Sequence, residues 1–186
     1  MSRSYSAEAL VINRRNIGEA DKVITLLSKF RGKFDASAKG VRKIASRRGP
    51  NLDLLNHIKA SFASGKNLDV ITEVQTIDSF KRAKGDLEKI GYSYHITELV
   101  KEFLEEGQGG RDVFDLLLTT LKELDKAQNP RKIGRILRSF EIKLLYFVGI
   151  SRRWGIAWCV ETIFQNWEIL FPRKLVGWWI VNVELR

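Results

Sequence analysis

The sequence predicts an α+β protein: a small five-stranded β-barrel over residues 1–80, then a small α-helical bundle over residues 81–150. Three observations lead there. Residues 5–80 break into short apolar runs with a period near two, separated by Gly and polar turns, as strands do. From residue 80 the apolar spacing changes to three and four, as in helices with one buried face. Positive charge crowds into the first fifty residues, which carry twelve basic and four acidic side chains of a chain with formal net charge +10.

The strands follow in order. Tyr5 to Ile12 puts Ala7, Ala9 and Val11 on one face and Leu10 and Ile12 on the other. Asn13-Arg14-Arg15-Asn16 is polar and is expected to turn, with Gly18 supplying a flexible position. Val23 to Leu27 is almost wholly apolar, as in a strand buried on both sides. After Gly32, Phe34, Ala36 and Ala38 alternate with polar residues. Leu52 to Phe62 and Leu68 to Ile77 form a hairpin around Ser64-Gly65-Lys66-Asn67. Five short strands with Gly-rich breaks suit an oligonucleotide/oligosaccharide-binding (OB) barrel. An SH3-like barrel would read similarly.

The helices come next. Leu87, Ile90 and Tyr94 share a face of the first, which continues through Leu99, Val100, Phe103 and Leu104. Gly107-Gln108-Gly109-Gly110 reads as a linker: it lacks the Lys-Ser/Thr of a phosphate-binding loop and follows no strand. Asp112 is expected to cap a helix burying Val113, Leu116, Leu117, Leu121 and Leu124. Asn129-Pro130 starts the last helix, which buries Ile133, Ile136, Leu137, Phe140, Leu144 and Phe147 and stops at Gly149. Residues 151–186 form a third region that fits neither period and holds all five tryptophans.

Composition narrows the function. One cysteine excludes an internal disulfide and a multi-cysteine zinc site. The N-terminus has no apolar signal core, and no run approaches the length of a membrane span, so a cytoplasmic protein without a membrane partner is expected. His57 and His95 stand alone, no nucleophile–base grouping is visible, and neither a cofactor nor a metal is expected. A predicted pI near 9.8 points to a polyanion. Between Lys29 and Arg48 there are eight basic residues against Asp35, a net +7 in twenty residues, which is the footprint of a phosphate-backbone binder. The candidate contacts are Arg14, Arg15, Lys29, Arg31, Lys33, Lys39, Arg42, Lys43, Arg47 and Arg48. The barrel offers only Tyr5, Phe30, Phe34 and Phe62 as stacking surfaces, some of which must fill the core, so phosphate contacts are expected to dominate over base stacking. Three classes fit in descending order: a non-enzymatic DNA binder, a basic OB-type RNA-binding or ribosome-associated protein, and a nucleic-acid enzyme. The last would need clustered acids for metal, and the basic region offers only Glu19, Asp21 and Asp35.

These residues carry a resemblance. Gly18-Glu19-Ala20-Asp21, Gly32-Lys33, Ala38-Lys39-Gly40-Val41-Arg42-Lys43 and Ser46-Arg47 follow one another much as they do at the start of members of the RecO family. Glu8-Ala9-Leu10-Val11 resembles the family's first strand, and Leu116-Leu117-Leu118 through Phe140 to Leu145 its helical domain. The resemblance covers residues 5–150 and implies an OB barrel followed by helices. It implies a bacterial, nucleoid-associated mediator of DNA repair and recombination. Such a protein binds single- and double-stranded DNA, anneals complementary strands and helps load recombinase. The implied partners are RecR, RecF and the acidic C-terminal tail of single-stranded DNA-binding protein. Capture of that tail calls for an apolar notch beside cations, and the last helix offers Ile133, Leu137 and Phe140 next to Arg131, Lys132, Arg135 and Arg138. Many family members carry paired zinc-holding cysteines after this helix. Here only Cys159 follows, and a change of reading frame shortly after Ile150 is expected, against the alternative of a divergent native C-terminus.

Overall fold

The computed structural model describes residues 4–43 and 46–149. Five strands close a barrel in the order β1-β2-β3-β5-β4. They are β1 Ser4–Ile17, β2 Asp21–Ser28, β3 Gly32–Ala38, β4 His57–Ala63 and β5 Asp69–Asp78. Neighbours run antiparallel except β3 and β5, which meet in parallel through Ala36–Asp69 and Ser37–Val70. That order with its single parallel contact is the OB arrangement and decides against the SH3-like alternative. Among the described residues four helices follow: α1 Lys81–Lys84, α2 Leu87–Phe103, α3 Gly110–Lys126 and α4 Pro130–Phe147.

Strand alternation sorts the apolar residues into two cores. Ala9 and Val11 point into the barrel with Ile24, Leu26, Phe34, Ala36, Ile58, Phe62 and Ile71. The alternate residues Leu10, Ile12 and Leu27 point outward and are buried against Phe80, Ile96, Val100, Leu104, Phe114 and Leu117. The double burial expected for β2 has this cause: Ile24 and Leu26 serve the barrel while Leu27 serves the helices. The barrel and the helices accordingly form one compact unit that ends at Val148. The expected frame change after Ile150, Cys159 and the tryptophans fall outside the described residues.

Five expectations about the elements need correction. Phe147, at the end of α4, is exposed rather than buried with Ile133, Ile136, Leu137, Phe140 and Leu144. Arg14 and Arg15 do not turn: β1 continues past a bulge between Val11 and Asn13 and pairs Arg14 with Ile24 and Arg15 with Val23. A bulge bends a strand without ending it, so a polar run there marks the bend and the solvent-facing stretch beyond it. β4 begins only at His57, because Pro50–Leu52 forms a 3-10 turn that buries Leu52 in the barrel core. Leu87 and Tyr94 are exposed on α2, which buries Ser93, Ile96, Thr97 and Val100 instead. The hydroxyls of Ser93 and Thr97 are satisfied by the carbonyls of Lys89 and Ser93, which lets small polar residues take the inner face. Asp112 lies in the first turn of α3, and the N-cap position falls to Gly109. The start of α4 agrees with expectation: Asn129 accepts a hydrogen bond from the Arg131 N–H, and Pro130 opens the helix.

Candidate nucleic-acid interface

Two separated pieces of sequence build the basic loop. The β1–β2 turn and the segment after β3 clasp each other at one end of the barrel. Asp21 Oδ1 accepts from the Gly40 N–H at 2.7 Å. The Ala20 carbonyl accepts from the Arg42 N–H at 3.0 Å, and the Gly18 carbonyl from the Arg42 guanidinium at 2.9 Å. Gly18 and Gly40 both take positive φ, 57° and 66°, which a side chain would strain. The GEAD and AKGVRK elements are therefore two halves of one clasp. Its acid spends its charge on a backbone N–H.

Arg48 closes the loop from the other side. Its guanidinium donates to the carbonyls of Ile71 and Lys39, each at 2.8 Å, and so ties the returning chain to β5 and to the end of β3. Asn51 donates to the Arg47 carbonyl at 3.0 Å. Lys22, which the sequence reading passed over, stands opposite Ala38 in the β2–β3 ladder at the root of this loop.

The ten candidate cations divide sharply. Arg14 pairs with Asp53, and Arg15 pairs with Asp35 at 3.1 Å. Lys29 pairs with Asp115 of α3 at 3.0 Å, and Lys33 donates to the Lys101 carbonyl at 2.8 Å. Arg31 binds both Tyr5 and Asp69 and lies over the Phe34 ring, 4.4 Å from its centre. Arg42 and Arg48 hold main-chain carbonyls. Lys39, Lys43 and Arg47 are exposed and have no side-chain partner among the described residues. All three lie on the clasped loop. An arginine bound to a neutral carbonyl keeps its full charge, so Arg42, whose guanidinium holds the Gly18 carbonyl, adds to the local field while holding the fold.

The Tyr5–Arg31–Asp69 cluster is structural. Burial pushes the Tyr5 hydroxyl up to about 12, helped by its hydrogen bond to Asp69 and opposed by the Arg31 charge. Burial alone would raise the Asp69 carboxyl, but hydrogen bonds from Tyr5 and Arg31 and the Arg31 charge outweigh it and hold it below the ordinary carboxylate range. At the junction with α1, burial lowers Lys84, partly offset by Asp53, while its ammonium reaches Asn56 at 2.7 Å.

A groove of about 320 Å³ runs beside β3, lined by Arg15, Thr25, Lys33, Asp35, Lys101 and Glu106 among others. Its mixed charges leave it without the one-signed field a polyanion needs. His57, expected to stand alone, meets Glu8 at 2.7 Å, and His95 meets Glu141 at 3.2 Å. Among the described residues no group of three His, Cys, Asp or Glu could hold a metal ion, and no helix is long and apolar enough to cross a membrane.

The notch expected on α4 is not a surface feature. Ile133, Leu137 and Phe140 are buried in the barrel–helix core with Leu117, Leu121 and Leu124 of α3. Helical spacing puts them on one face, and that face is the one α3 covers. Of the cations beside them, Arg138 pairs with Glu141 at 2.8 Å, Arg135 is also engaged, and Arg131 and Lys132 are exposed.

Comparison with known proteins gives concordant matches along the chain. The model for the recombination protein O N-terminal region matches residues 1–80, and that for the recombination protein O C-terminal region matches residues 84–161. The second match continues past Ile150. DNA repair protein RecO of Symbiobacterium thermophilum is 34% identical over 180 residues, covering 93% of this chain and 68% of that protein. RecO of a Roseiflexus species is 36% identical over 147 residues, and RecO of Heliobacterium modesticaldum 41% over 117. These alignments take in 79% and 63% of this chain, which spans only 50% and 42% of those two relatives.

Proposed function

The chain belongs to the RecO family, and on that premise we propose that it is a non-enzymatic DNA repair and recombination protein that grips the phosphate backbone with its clasped basic loop. The observation that carries this reading is a set of three exposed cations, Lys39, Lys43 and Arg47, without a side-chain partner among the described residues and held on a loop fixed by Asp21, Arg42 and Arg48.

The mechanism follows from electrostatics. Backbone phosphates bind by displacing condensed counterions, so affinity rests on charge and carries little sequence preference. Annealing requires no covalent step. A cationic loop that screens the repulsion between two phosphate backbones can hold complementary strands together while pairing nucleates. Binding to single- and double-stranded DNA, strand annealing and support of recombinase loading form one reading. RecR, RecF and the acidic tail of single-stranded DNA-binding protein are its partners, and the bacterial cytoplasm, at the nucleoid, is its location. Burial of Ile133, Leu137 and Phe140 moves the tail's docking surface away from these three side chains.

The test is strand annealing by the purified full chain, with affinity for single-stranded DNA measured beside structured RNA of equal length. Accelerated annealing with comparable or tighter DNA binding supports the reading. A clear preference for the RNA, without annealing, would favour a basic OB-type RNA binder.

A further inference from the structure

The barrel's four aromatic side chains have separate fates. Phe34 and Phe62 are buried, and Tyr5 stacks on Phe62 with ring centres 5.1 Å apart. Phe30 is 85% exposed. It stands in the tight turn between β2 and β3, which the Arg31 N–H closes on Ser28 Oγ at 3.1 Å and Gly32 completes with a φ of 70°. The turn is thus well defined, and its largest apolar side chain lies outside both cores.

Its surroundings indicate what it receives. Lys29 is neutralised by Asp115 and Arg31 by Asp69. The Arg111 guanidinium, on the first turn of α3, lies over the Phe30 ring, 5.6 Å from its centre, and has no ion-pair partner among the described residues. A ring 85% exposed, with a guanidinium over it that has no ion-pair partner among the described residues, matches an unpaired nucleotide: the base stacks and the phosphate meets the guanidinium. A purely apolar partner would leave Arg111 desolvated and unpaired. The seven residues of β3 separate this turn from Lys39. At ~3.3 Å per residue that is roughly 23 Å, a distance several nucleotides of an extended strand can cover.

We infer that Phe30 is a stacking platform for an unpaired base, with Arg111 holding the neighbouring phosphate, and that this second contact favours single strands over duplex. The inference rests on the DNA-binding reading above. In a duplex each base is already stacked between its neighbours, so the platform has nothing to offer it.

The experiment uses the full chain and an oligodeoxynucleotide carrying 2-aminopurine, whose emission falls when it stacks on an aromatic ring. Wild type is expected to quench the probe. Phe30→Ala should abolish the quenching, weaken single-strand binding about tenfold, leave the salt dependence unchanged and leave duplex binding unchanged. Phe30→Tyr should restore quenching. Arg111→Ala should lower the salt slope by about 0.7, one single-strand phosphate contact. Wild-type affinity and quenching in Phe30→Ala, or an equal loss on single strands and duplex, would overturn the inference while leaving the basic loop as the DNA site. A wild-type protein that binds no DNA at all would overturn both readings.

Discussion

A Cβ placed on Gly32 would lie 2.2 Å from the main-chain oxygen of Gln108. The close approach exists because the loop between α2 and α3 pairs with the first residues of β3. The Lys33 N–H donates to the Gln108 carbonyl, and the Gly107 N–H to the Lys33 carbonyl, each at 2.8 Å. The glycine-rich loop is thus a backbone clamp between barrel and helices. Gly32→Ala should cost about 3 kcal/mol, combining ~1–2 for the left-handed backbone with about 1 for each hydrogen bond disturbed. Gly18→Ala, at φ 57° with nothing within 4 Å, should cost only the backbone part, about 1–2 kcal/mol. Urea denaturation of the two variants measures the difference, and equal losses would remove the clamp's energetic role.

Much of this architecture was legible in the residues. The alternation of Ala9 and Val11 against Leu10 and Ile12 separated the two faces that the structure buries in different cores, because a strand's period of two has no freedom once both faces are covered. The Asn129-Pro130 start was legible because capping is local. The exposed face of α2 was not, because hydroxyls that bond back to their own helix let Ser93 and Thr97 replace apolar residues on its buried side. The candidate site was legible as charge only. Sequence counts cations but not their partners, and Arg31 and Arg48 are spent on groups 38 and 23 residues away. Phe30 stood in view as an aromatic, while the signal that singles it out, its position in a two-strand turn, became clear only once the turn's ends were fixed.

Asp21 offers a test of positioning apart from charge. Asp21→Ala removes the acceptor for the Gly40 N–H, loosens the clasp and should weaken single-stranded DNA binding several-fold, although it removes a negative charge. Asp21→Asn keeps an acceptor oxygen and should bind as tightly as wild type or tighter. If both variants gain affinity equally, Asp21 acts through its charge and the clasp is dispensable.

The Tyr5 cluster sets a pH window. A hydroxyl raised from 10 to about 12 in the folded state contributes stability that is fully present below pH 10 and is lost as pH rises through 12. The depressed Asp69 carboxyl contributes stability above the ordinary carboxylate range that is lost as pH falls through its lowered value. Tyr5→Phe should be less stable than wild type at neutral pH, and the gap should narrow above pH 10. Melting temperature against pH for the two proteins reads this directly. Parallel curves throughout would place the alkaline loss in other groups.

Replacing Arg48 should differ in kind from replacing its neighbours. Arg48→Met removes three-way support of the loop from the Lys39, Ile71 and Thr72 carbonyls, so protease cleavage within residues 39–49 should accelerate along with the loss of DNA affinity. Lys43→Ala should lower affinity with the cleavage rate unchanged. Equal protection of the loop in both variants would make Arg48 a simple phosphate contact.

The most direct measurement is single-stranded DNA affinity as a function of salt for wild type and for the combined Lys39→Ala, Lys43→Ala, Arg47→Ala variant. None of the three side chains makes a hydrogen bond or ion pair among the described residues, so melting temperature should stay the same. At about 0.7 per single-strand phosphate contact, the slope of log affinity against log salt should fall by about 2. An unchanged slope in a folded triple variant would contradict the assignment of the phosphate backbone to this loop.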